Sequence, residues 1–308
     1  MADKAQSTRP RRESARGFLA PEVVSRLRNM ELRARLVVEG FIQGLHRSPY
    51  HGFSVEFAEY RQYMPGDSPR FVDWKVYAKT DRYYVKVFEE ETNLKCNILL
   101  DKSASMGFEG KGISKLRWAS MFAAALAFLM VKQQDASGLV IFDDQIRDYL
   151  PARSVRAQMH EMLTRLEHVE ASEKTNISAA MHRMAERLTR RGLIVLISDL
   201  FDDPDEIMNG LKHFRHRQHE VLVFHVLDDL ERTFDYKDEA RFIDLESRRE
   251  IRSQPWFIKQ EYQQRVENWM KSLSKQCRER MIDYVPMTTS TPYDLALMAY
   301  LNKRSHLG

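Results

Sequence analysis

Between residues 96 and 227 the chain repeatedly sets a short, unbroken apolar run beside a stretch of helical periodicity, and this alternation limits the fold more than any other feature. The runs at 96–100, 137–142, 193–197 and 221–227 do not alternate polar with apolar residues as a strand with one wet face does. Strands of this kind are buried on both faces, which calls for a largely parallel sheet with helices above and below it. Helical patterns fall between the runs: 115–133, then a segment marked by Val155, Met159, Met162, Leu163, Leu166 and Val169, then 177–188 and 204–214. Residues 146–150 follow Asp143-Asp144 closely enough to form a hairpin with the second run, and 282–286 supply a last strand before a last helix at 292–303. The expected fold is α/β, with a mostly parallel six-stranded sheet covered by helices on both faces.

The flanking regions differ in texture. Residues 1–16 are polar and basic and read as a tail. From 21 to 45, Val23, Val24, Leu27, Met30, Leu32, Leu36, Val37 and Phe41 recur near helical spacing. Residues 46–92 are rich in aromatics and turn residues, among them Tyr50, Gly52, Phe53, Phe57, Tyr60, Tyr63 and the turn signal Pro65-Gly66-Asp67, and 83–89 have strand composition. Charged, alternating residues at about 233–255 predict a hairpin insertion, with strands at 241–245 and 249–252, before a long helix at 256–280. The expected organisation is a tail at 1–16, an N-terminal helix with a β-rich block at 17–93, and an α/β domain at 94–308.

Composition removes several function classes. Cys96 and Cys277 are the only cysteines, too few for a disulfide framework or a cysteine-built zinc site. The formal charge of +4 comes from 48 basic and 44 acidic residues spread along the chain, without the clustering that nucleic acid requires. The most apolar stretch, 121–131, is about half the length of a membrane span. Arg9, Arg11 and Arg12 are not followed by an apolar segment, so no secretory signal is read and a cytoplasmic location is expected.

Ligands of open α/β sheets bind where strands end and loops begin. The first run exits into Asp101-Lys102-Ser103-Ala104-Ser105, and the run at 193–197 exits into Ser198-Asp199. A third polar loop, Lys174-Thr175-Asn176, opens the helix before that strand. Asp101, Ser103, Ser105, Thr175 and Asp199 thus present two carboxylates and three hydroxyls, donors that suit a hard cation such as Mg²⁺, Mn²⁺ or Ca²⁺ rather than zinc or copper.

The segment Asp101-Lys102-Ser103-Ala104-Ser105-Met106 resembles the DxSxS signature of the metal-ion-dependent adhesion site of von Willebrand factor A domains, and Thr175-Asn176-Ile177 and Ser198-Asp199 match the loops that complete that site. The preceding block resembles the bacterial DUF58 family: His46-Arg47-Ser48-Pro49-Tyr50-His51-Gly52, Glu56-Phe57, Arg61-Gln62-Tyr63-Met64-Pro65-Gly66-Asp67, Arg70-Phe71-Val72-Asp73-Trp74-Lys75 and Val85-Lys86-Val87-Phe88-Glu89-Glu90-Glu91. The resemblance implies a von Willebrand A-type domain whose five site residues bind a divalent ion, and a protein partner whose acidic side chain completes the coordination. It also implies work beside a MoxR-type AAA+ ATPase as an adaptor or assembly factor. Many members of that family carry N-terminal membrane helices, and none is read here.

Rival readings rest on specific residues. A metal-dependent hydrolase using Asp101 as nucleophile needs a second carboxylate two residues on, where Ser103 stands, and no GxSxG elbow is present, so a non-enzymatic protein is expected. A structural scaffold with a vestigial metal site is the other alternative. His213, His216 and His219 do not share one helical face and read as a basic helix end. Asp203, Pro204 and Glu206 read as a helix start. Gly107 to Gly112 lack phosphate-loop spacing, and Asp67, Arg70, Asp73 and Trp74 read as a turn held by ion pairs and aromatic packing.

Overall fold

The computed structural model describes residues 21–25, 29–46, 60–62, 74, 77, 81–86, 94–172, 177–238, 240–243 and 250–304. The chain divides into two compact units, one of residues 1–43 and 94–308, the other of residues 44–93. Helices α1 (Pro21–Ser25) and α2 (Met30–His46) open the described chain. On α2, Met30, Ala34, Val37, Val38 and Phe41 are buried and form one helical stripe, while Leu32 and Leu36, which share the apolar periodicity, are exposed. In the smaller unit, strands β1 (Tyr60–Gln62) and β2 (Tyr84–Lys86) pair antiparallel, and Tyr77 stacks on Tyr83 with ring centroids 4.3 Å apart. The turn signal at 65–67 and Arg70 and Asp73 lie outside the described residues, as do the tail arginines.

The larger unit carries β3 (Lys95–Asp101), α3 (Lys115–Lys132), β4 (Ala136–Phe142), β5 (Ile146–Arg153), α4 (Arg156–Glu167), α5 (Ile177–Arg187), β6 (Leu193–Ser198), α6 (Pro204–His216), β7 (Glu220–Leu227), α7 (Asp229–Thr233), β8 (Ala240–Ile243), β9 (Glu250–Ser253), α8 (Pro255–Glu279), β10 (Asp283–Thr288) and α9 (Tyr293–Arg304). Six strands form one sheet in the order β10-β7-β6-β3-β4-β5. Every neighbouring pair is parallel except β4 with β5, the hairpin across Asp143-Asp144. This is the mostly parallel six-stranded α/β sheet, with one antiparallel edge, that the apolar runs and the von Willebrand A resemblance lead one to expect. β8 and β9 form the separate antiparallel hairpin. The five-residue α7 is not evident from sequence.

Side chains alternate across the sheet. Leu99, Val140, Ile194, Leu196, Val221 and Val223 join Met181, Met184, Leu211, Phe214, Leu273 and Cys277 of α5, α6 and α8 in one core layer. Phe224, of opposite parity, meets Phe122 of α3 edge-on at 4.6 Å. Helix α3 is alanine-rich and buried along almost its whole length, and its Trp118 donates Nε1–H to the Thr291 carbonyl at 3.0 Å. The approach of β6 to β3 is so close that a Cβ on Gly192 would lie 2.2 Å from the Lys95 carbonyl oxygen. Helix α6 starts as its sequence indicates: Asp203 accepts from the amides of Asp205 and Glu206, and Pro204 occupies the first turn. The Glu206 carboxylate is instead taken up by the Ser178 hydroxyl at 3.0 Å.

Candidate functional site

Strand register sets the site. Leu100 pairs with Ile197, Ser198 with His225, and Leu227 with Thr288, so β3, β6, β7 and β10 end together at one edge of the sheet. Asp101 therefore leaves β3 beside Ser198. Both are fully buried, and Ser198 donates its hydroxyl to Asp101 Oδ2 at 2.6 Å. Asp101 Oδ1 accepts the Ser103 amide at 2.8 Å, an Asx-type turn that reverses the chain into a single 3₁₀ turn, Ser105–Gly107. That turn brings Ser103 Oγ within 3.1 Å of Ser105 Oγ. Burial and the negative charge of Asp199 hold the Asp101 carboxyl up at about 7.

Asp199 is engaged differently. Its Oδ1 accepts the Phe201 amide at 3.2 Å, and its Oδ2 accepts the Lys115 ammonium at 2.7 Å. Lys115 also donates to Glu231 Oε1 at 2.7 Å. The Lys115 side chain is entirely buried and lies 4.7 Å from the Phe201 ring centroid and 5.9 Å from that of Phe108. Burial alone would lower its ammonium, but Asp199 and Glu231 outweigh burial and hold it above the ordinary lysine value. Burial raises the Glu231 carboxyl, with Lys115 pulling the other way.

Two further contacts stiffen this edge. The Asp199 carbonyl is 2.9 Å from His225 Nε2, and a carbonyl can only accept, so Nε2 carries the proton. His225 Nδ1 then accepts from the Tyr284 hydroxyl. Burial pushes this imidazole down to about 4, against the pull of Asp199. Beyond β7, Asp228 accepts the amides of Leu230 and Gly110 and the Thr289 hydroxyl, while Glu231 Oε2 accepts the Asp228 amide. A carboxylate thus faces the Gly110 amide in the glycine-rich segment that sequence spacing separates from phosphate loops.

Of the five sequence-assigned donors, the structure gathers Asp101, Ser103 and Ser105 into one cluster. It joins them to the β6 exit through Ser198, and it ties Asp199 to Lys115. Thr175 lies outside the described residues. Ser172 donates its amide to the Lys102 carbonyl at 2.8 Å, and Ile177 donates its amide to Asp202 Oδ2 at 3.0 Å. Among the described residues no group of three or more His, Cys, Asp or Glu side chains is placed to hold a metal, so the donors beyond the aspartates are hydroxyls. Sequence reasoning missed Lys115, Glu231 and His225, and placed Ser198 at the strand exit without its bond to Asp101. One signal was available for Lys115: it begins a helix, where the dipole disfavours a cation, so its charge must be met from elsewhere in the fold. The histidine reading holds for His213 and His216, which lie in the basic last turn of α6, and shifts for His219, which lies beyond the helix and is buried with Nε2 2.8 Å from the Leu188 carbonyl.

A model of the family described as "Protein of unknown function DUF58" matches residues 59–271. The chain belongs to the DUF58 family. Uncharacterized relatives from Mycobacterium bovis and Mycobacterium tuberculosis are 31% identical over 211 residues, covering 68% of this chain. The chain spans 66% of the length of these curated relatives. Among solved structures, this DUF58 protein is similar to the conserved hypothetical protein BatB from Bacteroides thetaiotaomicron, with 15% identity, a TM-score of 0.46, and coverage of 69% of this chain and 99% of that one. It is also similar to an aerotolerance-related membrane protein from Bacteroides fragilis, with 19% identity, a TM-score of 0.46, and coverage of 68% and 99%. These neighbours correct the expected cytoplasmic location, since similar chains include one described as a membrane protein. The step that failed is the one from apolar content to compartment, because a sheet domain packs the same core on whichever side of a membrane it works. Among the described residues no helix is long and apolar enough to cross a membrane.

Proposed function

We propose that this DUF58 protein is a protein-binding module that recognises an acidic side chain of its partner through a divalent ion, Mg²⁺ or else Mn²⁺ or Ca²⁺. The ion's ligands are Asp101, Ser103, Ser105 and Thr175, with Asp199 close by. The observation that carries the reading is the Asp101 cluster: a buried carboxyl beside a second aspartate, held by the Ser103 amide, with the Ser103 and Ser105 hydroxyls 3.1 Å apart in the turn that follows it at the carboxyl edge of the sheet. The ammonium of Lys115 is shared by Asp199 and Glu231, and Asp101 feels the charge of Asp199, so three carboxylates and one ammonium leave two negative charges when all are ionised, which complements one divalent ion. When bound, the ion supplies a coordination position open to a partner's carboxylate.

The chain's own residues do the positioning. Ser198 and the Ser103 amide orient the Asp101 carboxylate, and Lys115 neutralises Asp199. Both Asp101 oxygens already accept hydrogen bonds, an arrangement that suits a ligand held in place better than a nucleophile, so the module is read as non-enzymatic. By family resemblance, the partner is a MoxR-type AAA+ ATPase or its client, and the role is adaptor or assembly factor. The test is capture of the ATPase by wild-type protein and by Asp101→Ala, with Mg²⁺ and with chelator. Equal capture in all four conditions refutes metal-bridged recognition. A second reading, a scaffold with a vestigial metal site, is favoured by one observation: the ammonium already seated on Asp199.

A further inference from the structure

The geometry points to Lys115 as a resident cation of this site, one that withdraws Asp199 from the divalent ion and so sets how tightly that ion is held. The inference rests on the metal-binding reading above and deepens it. The lysine has no route to solvent: its side chain is fully buried, it is bounded by the rings of Phe201 and Phe108, and its ammonium lies 2.7 Å from each of two carboxylates. Its helix does not hold it there, since the first turn of α3 repels a cation. The carboxylates do.

An ion that took Asp199 as a direct ligand would have to share it with this ammonium, and two like charges on one carboxylate repel strongly in a buried setting. Asp199 therefore acts on the ion from a distance, through its charge. Among the described residues, coordination falls to Asp101, Ser103 and Ser105, with a single ionised group among them. A site with one carboxylate ligand holds its ion loosely and leaves it electrophilic, a property that favours exchange and capture of a partner's carboxylate over permanent structural binding.

Total charge and the freedom of Asp199 can be varied separately, and three variants test the difference. Lys115→Met removes the ammonium. Lys115→Met combined with Glu231→Gln removes one positive and one negative group together, so the formal charge of the cluster matches the wild type while Asp199 is freed. Glu231→Gln alone leaves the ammonium to Asp199. Binding of Mn²⁺ alone to the full chain is followed by the loss of its free-ion electron paramagnetic resonance signal, with circular dichroism as the check of folding. The double variant is expected to bind roughly tenfold or more tightly than wild type, and Asp199→Asn added to it is expected to abolish that gain. Lys115→Met, where it folds, is expected to bind at least as tightly as the double variant, and Glu231→Gln severalfold more weakly than wild type. Wild-type affinity in the double variant, with binding still lost in Asp101→Ala, overturns the role of Lys115 and leaves the metal reading standing. Absence of Mn²⁺ binding in every protein overturns both.

Discussion

Lys115→Met is the perturbation whose cost can be worked most directly from the structure. The substitution keeps most of the side-chain volume and deletes a charge that sits 2.7 Å from both Asp199 Oδ2 and Glu231 Oε1. The Lys115 and Asp199 side chains have no solvent exposure, and that of Glu231 is only 14% exposed, so water cannot replace the ammonium. Removing one partner of a buried ion pair typically costs about 3–5 kcal/mol, because the other partner is stranded. For a chain of this size each kcal/mol moves the melting midpoint by roughly 2–4 °C, so a drop of about 6–20 °C is expected at pH 8. The penalty should shrink on acidification. Burial already raises the Glu231 carboxyl above its ordinary value, and once it is protonated the missing ammonium strands one carboxylate rather than two. The assay is urea denaturation followed by circular dichroism at pH 8 and pH 5, with Lys271→Met as a control, since Lys271 pairs with an exposed Glu267 and its loss should leave the midpoint unmoved. A loss below about 1 kcal/mol at pH 8, or equal losses at the two pH values, would refute the buried network.

Four further outcomes follow from the same geometry. With its carboxyl raised to about 7 against an unfolded value of 3.8, Asp101 gives the metal-free protein stability that is full below pH 4 and is lost as pH rises through 7. Asp101→Asn should therefore be more stable than wild type at pH 8 in chelator, by up to about 4 kcal/mol, and show no advantage near pH 4. His225 runs the opposite way: depressed to about 4 from 6.5, it contributes stability above pH 6.5 that is lost as pH falls through 4. In Asp101→Asn, where the opposing slope is gone, that acid loss of about 3 kcal/mol should become visible by denaturant titration. Gly192→Ala puts a Cβ against the Lys95 carbonyl and should lower stability by about 2 kcal/mol or more, and a neutral result would mean that β6 and β3 are not held this closely. Cys96 and Cys277 are buried and burial raises both thiols, so neither should react with a thiol reagent until the chain unfolds, and a fast native phase would contradict the packing of β3 or α8.

The larger part of the fold was legible in the chain itself. Unbroken apolar runs at 96–100, 193–197 and 221–227 can only be satisfied by burial on both faces, and that demand by itself leads to a helix-covered parallel sheet. The positions of Asp101, Ser103 and Asp199 at strand exits follow from the same reading, because ligand loops begin where parallel strands stop. Local rules also sufficed for the start of α6, whose Asp203 cap and Pro204 act within a few residues of each other. The buried stripe of α2 was legible only in part: its periodicity admitted Leu32 and Leu36, which the structure exposes.

What the tertiary structure alone decided is the partnership within the site. Lys115 meets Asp199 across 84 positions and Glu231 across 116, and Asp101 meets Ser198 across 97. No periodicity or motif carries such pairings. They depend on strand register, on how far α3 lies from β7, and on which rotamers remain once Phe108 and Phe201 are packed. Charges buried out of reach of water must find partners, and only the folded arrangement of β3, β6 and β7 determines which partners are within reach.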